Sequence, residues 1–151
     1  LRTGLPKVFT EGLLWQAIRA SSSIPVLAPP MMIEGRAYAD GGVVNAVPLD
    51  VVAAMGADIL IGIDLTGSER SAENWGKENT PNMLGTLTRT INVAYNTSAS
   101  RTLPLAHVLI RPSLRAAAVY DVRVMDEFIT EGERATYAAL PELQKVLKWL
   151  T

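Results

Sequence analysis

Apolar side chains recur at helical spacing in four stretches of the chain, and short apolar runs of strand length lie between them. Leu13, Leu14, Ala17 and Ile18 place a stripe on a helix over Glu11 to Ala20. Thr10 stands where an N-cap hydroxyl can accept a free N–H of the first turn. Lys7-Val8-Phe9-Thr10 ahead of it reads as a short strand. Ser21-Ser22-Ser23, Pro25 and Pro29-Pro30 end the helix and force an extended segment. Arg36 to Ala39 then reads as a strand running into Asp40-Gly41-Gly42.

The second helix is the clearest. Pro48 suits its first position, where a missing N–H costs nothing. Asp50 puts a negative charge in the first turn, Val51, Val52 and Met55 supply the apolar face, and Gly56 is a stop. The run Ile59-Leu60-Ile61-Gly62-Ile63 follows at once and reads as a strand buried on both faces. A helix leading directly into such a strand predicts an α/β arrangement with a parallel sheet.

Ser68 to Thr80 is polar without period and reads as a mobile surface loop. Pro81 restarts a helix carrying Leu84, Leu87, Ile91 and Tyr95. Ala106 to Ile110 is a further candidate buried strand, closed by Pro112. The last 25 or so residues are helical, with Phe128, Ile129, Ala135, Leu140, Leu143, Leu147 and Leu150 on the buried side. Pro141 is expected to split that stretch into two helices.

Composition narrows the function. With 48% apolar and 19% charged residues among 151, the chain has the material for a sizeable core, as one domain or a large piece of one. Its 14 basic and 15 acidic residues give a net charge of -1 with no basic block, which argues against nucleic-acid binding by phosphate neutralisation. There are no cysteines, so disulfides, thiolate chemistry and Cys-based zinc sites are excluded, and the absence is compatible with a reducing cytoplasm. The single histidine, His107, falls in a predicted buried strand and reads as packed or hydrogen-bonded. No apolar run approaches the ~18 residues of a membrane span. The start at Leu1 without an initiator Met or signal-peptide core reads as a fragment or a processed chain.

The strongest chemical feature is Tyr38-Ala39-Asp40-Gly41-Gly42-Val43-Val44-Asn45-Ala46-Val47-Pro48. An Asp followed by two glycines, between a strand and a helix, sets a carboxylate on a tight turn. Glycine tolerates positive φ and lets other segments come close. Taken alone, the tripeptide is ordinary turn chemistry.

Its surroundings change that reading. Ala17-Ile18-Arg19-Ala20-Ser21-Ser22-Ser23-Ile24-Pro25 comes first, then Pro29-Pro30, then Asp40-Gly41-Gly42. Asn45 with Val47-Pro48 follows, then Gly56-Ala57-Asp58 and a strand ending at Asp64. In that order and spacing the chain resembles the patatin-like phospholipases, whose members show an Ala-Ser segment before a proline, an Asp-Gly-Gly or Asp-Gly-Ala, and a Gly-Ala-Asp before a buried strand. Ile110-Arg111-Pro112 and Glu131-Gly132-Glu133 also resemble bacterial members. The likeness is strongest over residues 12 to 66.

The resemblance implies an α/β fold, part of a patatin-like, α/β-hydrolase-related three-layer sandwich with a mainly parallel sheet. Residues 1–151 would form the C-terminal portion of one such domain, the nucleophile-bearing N-terminal portion being absent. It implies a lipid acyl hydrolase of phospholipase A or esterase type working through a Ser-Asp dyad. Asp40 is the catalytic member carried over, with Gly41, Gly42 and Asn45 supporting its turn. Its carboxylate would orient the serine hydroxyl and accept its proton.

No Gly-x-Ser-x-Gly elbow and no Gly-rich oxyanion loop occur in the chain. The fragment alone is therefore expected to be inactive, since even one lost oxyanion donor can cost roughly 10²–10³ in rate. The alternative is a non-catalytic patatin-like interaction domain. A Rossmann-like domain is disfavoured, because no Gly-x-Gly-x-x-Gly follows a strand. No metal or organic cofactor is implied. The expected partner is a lipid or acyl ester, with peripheral membrane contact from a cytoplasmic location.

Other polar residues invite structural readings. Ser21, Ser22 and Ser23 lack the elbow glycines and sit at a helix end. Asn45 can fix the Asp turn or cap the next helix. Asp64, at the carboxyl end of a parallel strand, is either a site residue or a strand terminator. Met31, Met32 and Ile33 are expected in the core rather than along an acyl-chain pocket.

Overall fold

Residues 1–66, 82–114 and 122–148 are described by the computed structural model. Ser68 to Thr80, Pro81 and Leu150 lie outside them. The chain divides into two units, one of residues 1–46 with 81–99 and one of residues 47–80 with 100–151. The architecture is α/β.

In the first unit, helix α1 spans Leu14–Ser21 and starts later than its apolar stripe suggested. Its N-cap is Leu13, without a side-chain cap, so Thr10 plays no capping part. The reason is Gly12, whose φ of 96° breaks the path from Glu11 into the helix. Lys7 to Thr10 is not a strand. It finds no ladder partner, and Phe9 instead meets Tyr38 edge-on with ring centroids 5.3 Å apart.

After the prolines come strands β1 (Met31–Ile33) and β2 (Arg36–Tyr38), paired antiparallel with Met32 opposite Ala37. Glu34 and Gly35 between them have φ of 48° and 73°. Positive φ at both central residues is what a two-residue hairpin of the twisted type requires. The side chains of β1 alternate, Met31 and Ile33 half-buried and Met32 exposed, so the expected core position fits only the first and third.

The one-turn helix α2 covers Gly42–Asn45. Helix α3 spans Leu49–Ala54, with Pro48 at its N-cap, one position earlier than expected. Asp50 does lie in the first turn. Gly56 ends the helix at a φ of 90°, its N–H donating to Ala53 C=O.

Helix α4 spans Met83–Thr102. Its predicted stripe is buried only toward the C-terminal end: Leu84 and Leu87 are exposed, Ile91 and Tyr95 half-buried, Ser98 and Ala99 buried.

Within the second unit, β3 (Ile61–Ile63) and β4 (Val108–Ile110) form a parallel pair, Gly62 opposite Leu109. The expectation that β3 is buried on both faces fails. Gly62 is buried, but Ile61 and Ile63 are 45% and 58% exposed. Helix α5 (Met125–Leu147) packs on β4, burying Val108 and Ile110, and does not extend its cover to the neighbouring positions of β3.

His107 precedes β4 and is exposed, not buried in the strand. It is hydrogen-bonded nonetheless. Its Nδ1 accepts Leu60 N–H at 3.0 Å, and its own N–H donates to Leu60 C=O at 2.8 Å. That reciprocal pair starts the parallel ladder.

Buried apolar residues among those described are few and mostly small, against the expectation of a sizeable core. The first unit buries Ala20 and Ala99, the second Val47, Leu49, Leu60, Val108, Ile110 and Ala135.

Helix α5 runs unbroken through Pro141, contrary to the expected split. Proline removes only the bond to the Tyr137 carbonyl, and Tyr137 is 70% exposed, so water can satisfy that oxygen. Ala138, Ala139, Leu140 and Leu143 around it all favour helix. The apolar side of α5 is only partly covered: Ala135 is buried, Phe128 and Leu143 half-buried, Ile129 and Leu147 exposed. Because Pro141 is exposed, Pro141→Ala restores a bond without disturbing packing. It should stabilise the protein by up to about 3 kcal/mol. Thermal denaturation checks this, and an unchanged or lower Tm would count against it.

Candidate active site

Asp40 is held by one group far from it in sequence, at Ser23, and by one two residues away, at Gly42. Helix α1 ends at Ser21, and the chain then turns so that Ser23 is 1% exposed. The Ser23 hydroxyl donates to Arg19 C=O at 2.9 Å and accepts from Arg19 Nη1. Its carbonyl accepts the Asp40 N–H at 2.9 Å. The serine segment thus works structurally, and Ser23 anchors the backbone of the candidate residue.

The carboxylate is anchored separately. Gly42 N–H donates to Asp40 Oδ1 at 2.7 Å, an Asx turn that directs the side chain over the start of α2. Among the described residues no hydrogen bond reaches Oδ2. Asp40 itself is half-buried. One oxygen is therefore committed to geometry and the other keeps its accepting capacity.

The glycines act differently from the expectation of positive φ. Gly41 has φ -66° and ψ -22°, ordinary helical values, and Gly42 is likewise outside the left-handed region. What Gly42 supplies is closeness. A Cβ there would lie 3.0 Å from Asp40 Oδ1 and 3.3 Å from the Tyr95 ring. At Gly41 a Cβ would meet nothing within 4 Å. Asn45 closes α2, its N–H donating to Gly41 C=O at 2.8 Å and its Oδ1 buried. Pro48, the N-cap of α3, makes no side-chain capping bond.

Sequence reasoning passed over Ser98. This residue of α4 is 5% exposed, accepts Ala46 N–H at 3.1 Å and donates to Gly42 C=O at 2.9 Å. A signal was present. Ser98 continues the stripe of Leu84, Leu87, Ile91 and Tyr95 at helical spacing, and a small polar residue on such a stripe marks close backbone approach.

Asp64, in the second unit, is 3% exposed and fully engaged. Its Oδ1 accepts from the Thr66 N–H at 3.0 Å and the Thr66 hydroxyl at 2.6 Å, and its Oδ2 from Arg111 Nε at 3.1 Å. Burial opposes its charge, but the Thr66 bonds and the Arg111 guanidinium outweigh it and hold its pKa below the ordinary value. It terminates β3 as a neutralised structural group.

Glu131 is similar on the surface. Arg134 and the Ser113 N–H hold its pKa down to about 2. Among the described residues no group of three His, Cys, Asp or Glu could hold a metal ion.

Two predictions follow from these contacts. Gly42→Ala should destabilise by about 1–3 kcal/mol through overpacking against Asp40 and Tyr95, whereas Gly41→Ala should be neutral or stabilising by up to about 1 kcal/mol. Paired melting curves decide it, and the opposite ranking would refute the packing account.

Asp64→Asn should cost on the order of 1–3 kcal/mol at neutral pH, by weakening bonds to a buried acceptor. Its folded pKa is depressed, so its stabilisation is complete above the unfolded value of ~3.9 and is lost as pH falls through the folded value. Urea unfolding from pH 7 down to 3 should show the gap between parent and variant narrowing below about pH 4. A gap constant with pH would exclude the ionic account.

Comparison with known proteins bears on the same segment. Residues 2–53 match the family model described as patatin-like phospholipase. An uncharacterized NTE family protein of Mycobacterium tuberculosis is 35% identical over 96 residues, which is 63% of this chain and 27% of that protein. Patatin-like phospholipase domain-containing protein 7 of Rattus norvegicus is 38% identical over 73 residues, 46% of this chain and 5% of that protein. Lysophospholipase nte1 of Aspergillus fumigatus is 30% identical over 80 residues, 53% of this chain and 5% of that protein. The chain thus spans about a quarter of the length of the mycobacterial relative and far less of the other two.

Proposed function

Since this chain belongs to the patatin-like phospholipase family, we propose that it contributes Asp40 to the Ser-Asp dyad of a lipid acyl hydrolase of phospholipase A or esterase type. The observation that carries this reading is the state of the carboxylate. Oδ1 is fixed by the Gly42 N–H at 2.7 Å, and Oδ2 has no hydrogen bond among the described residues. A base that must receive a proton in one direction needs this combination of rigidity and a vacant lone pair.

In the proposed reaction a serine hydroxyl attacks the acyl carbonyl while Asp40 Oδ2 takes its proton. The proton passes to the departing alcohol as the tetrahedral species collapses. Water then attacks the acyl-serine, Asp40 takes a proton from it, and returning that proton to the serine releases the fatty acid. The nucleophile and the oxyanion donors come from residues outside this sequence, which contains no Gly-x-Ser-x-Gly. On this reading residues 1–151 alone are inert. Acyl esters of lipids are the substrate class, in keeping with the lysophospholipase name of the fungal relative.

Access to such substrates calls for peripheral contact with a membrane. Among the described residues no helix is long and apolar enough to cross one. A cytoplasmic location completes the proposal, and no cofactor is required by it.

The test is turnover of a short-chain p-nitrophenyl ester by the full-length protein and by its Asp40→Asn variant. Removing the base should lower kcat by at least ~10² while circular dichroism and Tm stay near parental. Parental turnover in Asp40→Asn would remove Asp40 from the mechanism. Absence of turnover in the unaltered full-length protein would favour a non-catalytic interaction domain.

A further inference from the structure

The short helix that carries the anchor of Asp40 cannot hold itself together. Helix α2 has four residues, and a single turn fixes several backbone dihedrals in return for one or two hydrogen bonds, so in isolation it is unfavourable. Its support comes from α4. There the buried Ser98 hydroxyl accepts the Ala46 N–H just past the helix end and donates to the Gly42 C=O at its start. The Tyr95 carbonyl of its own helix lies 3.0 Å from the same oxygen, so the single hydroxyl proton is shared between the Gly42 and Tyr95 carbonyls. Tyr95, one turn earlier, packs its ring against the Gly42 backbone at the spot a side chain would otherwise fill.

Gly42 is thus gripped twice. Its N–H holds Asp40 Oδ1, its C=O is held by Ser98, and both groups belong to one short turn. We propose that Ser98 is a positioning residue for Asp40: its hydroxyl clamps both ends of α2 and so sets the direction in which Oδ2 points. The proposal rests on Asp40 being the dyad carboxylate. It adds a residue that touches neither substrate nor nucleophile and acts through the Gly42 peptide.

Loss of the hydroxyl leaves Ala46 N–H and Gly42 C=O to loosen together, and small displacements of a reacting group can cost as much as ~10²-fold in rate. In the full-length protein, Ser98→Ala should lower kcat on a p-nitrophenyl ester by about 10- to 100-fold with KM within about twofold. Ser98→Thr keeps the hydroxyl and should recover most of the loss. A purely structural role would instead make activity track thermal stability, with the Thr variant, burdened by an extra buried methyl, no better than Ala.

Parental kcat in Ser98→Ala, while Asp40→Asn is inactive, overturns the positioning role and leaves the dyad standing. Parental activity in Asp40→Asn overturns both. Should Ser98→Ala not fold, Ser98→Cys preserves the volume with a weaker donor. A folded Cys variant with reduced kcat supports the clamp, and one with parental kcat overturns it.

Discussion

The hydrogen bond from the Asp40 N–H to the Ser23 C=O, 2.9 Å long, fixes where the candidate carboxylate can be. It joins the turn after α1 to the end of the β1–β2 hairpin. The hairpin itself depends on Glu34 and Gly35 reversing the chain with positive φ. Once the backbone of Asp40 is fixed, its side chain has one short-range donor within reach, the Gly42 N–H, and the Asx turn follows. Everything proposed for the site descends from these two bonds. The first sets the position of the residue, and the second decides which carboxylate oxygen remains available.

The remaining supports act on the Gly42 peptide and not on the carboxylate. Tyr95 and Ser98, three residues apart on α4, face the same turn, one through its ring and one through its hydroxyl. Glycine at 42 is needed because the ring and the Asp40 oxygen already occupy the space of a Cβ, while Gly41 beside it is under no such pressure. Two adjacent glycines with the same letter in the sequence therefore carry different constraints.

Elsewhere the acidic groups are spent on structure. Asp64 sits at the end of a parallel strand, where site residues often lie, yet three donors occupy both its oxygens. A carboxylate with both oxygens bound is less available for chemistry, and its lowered pKa makes it a poorer base still. Asp40 differs in having one oxygen bound and, among the described residues, no hydrogen bond on the other. That contrast, more than sequence motif, separates the two aspartates.

The residues of the chain by themselves settled the α/β class, the position of Asp40 between a strand and a helix, the glycine stop at Gly56 and the presence of a parallel sheet. These follow from local spacing and from the special backbone chemistry of glycine and proline, which are properties of neighbours in sequence. Only the tertiary structure decided that Ser23 holds Asp40, that Ser98 holds Gly42, and that Gly42 serves by closeness and not by positive φ. It also decided that Ile61 and Ile63 stay exposed and that α5 passes through Pro141. Each of these depends on what lies across space. Hydrogen bonds between residues 17 and 56 positions apart, cover by a helix over one strand and not its neighbour, and the solvent exposure around Tyr137 leave no periodic mark in the sequence.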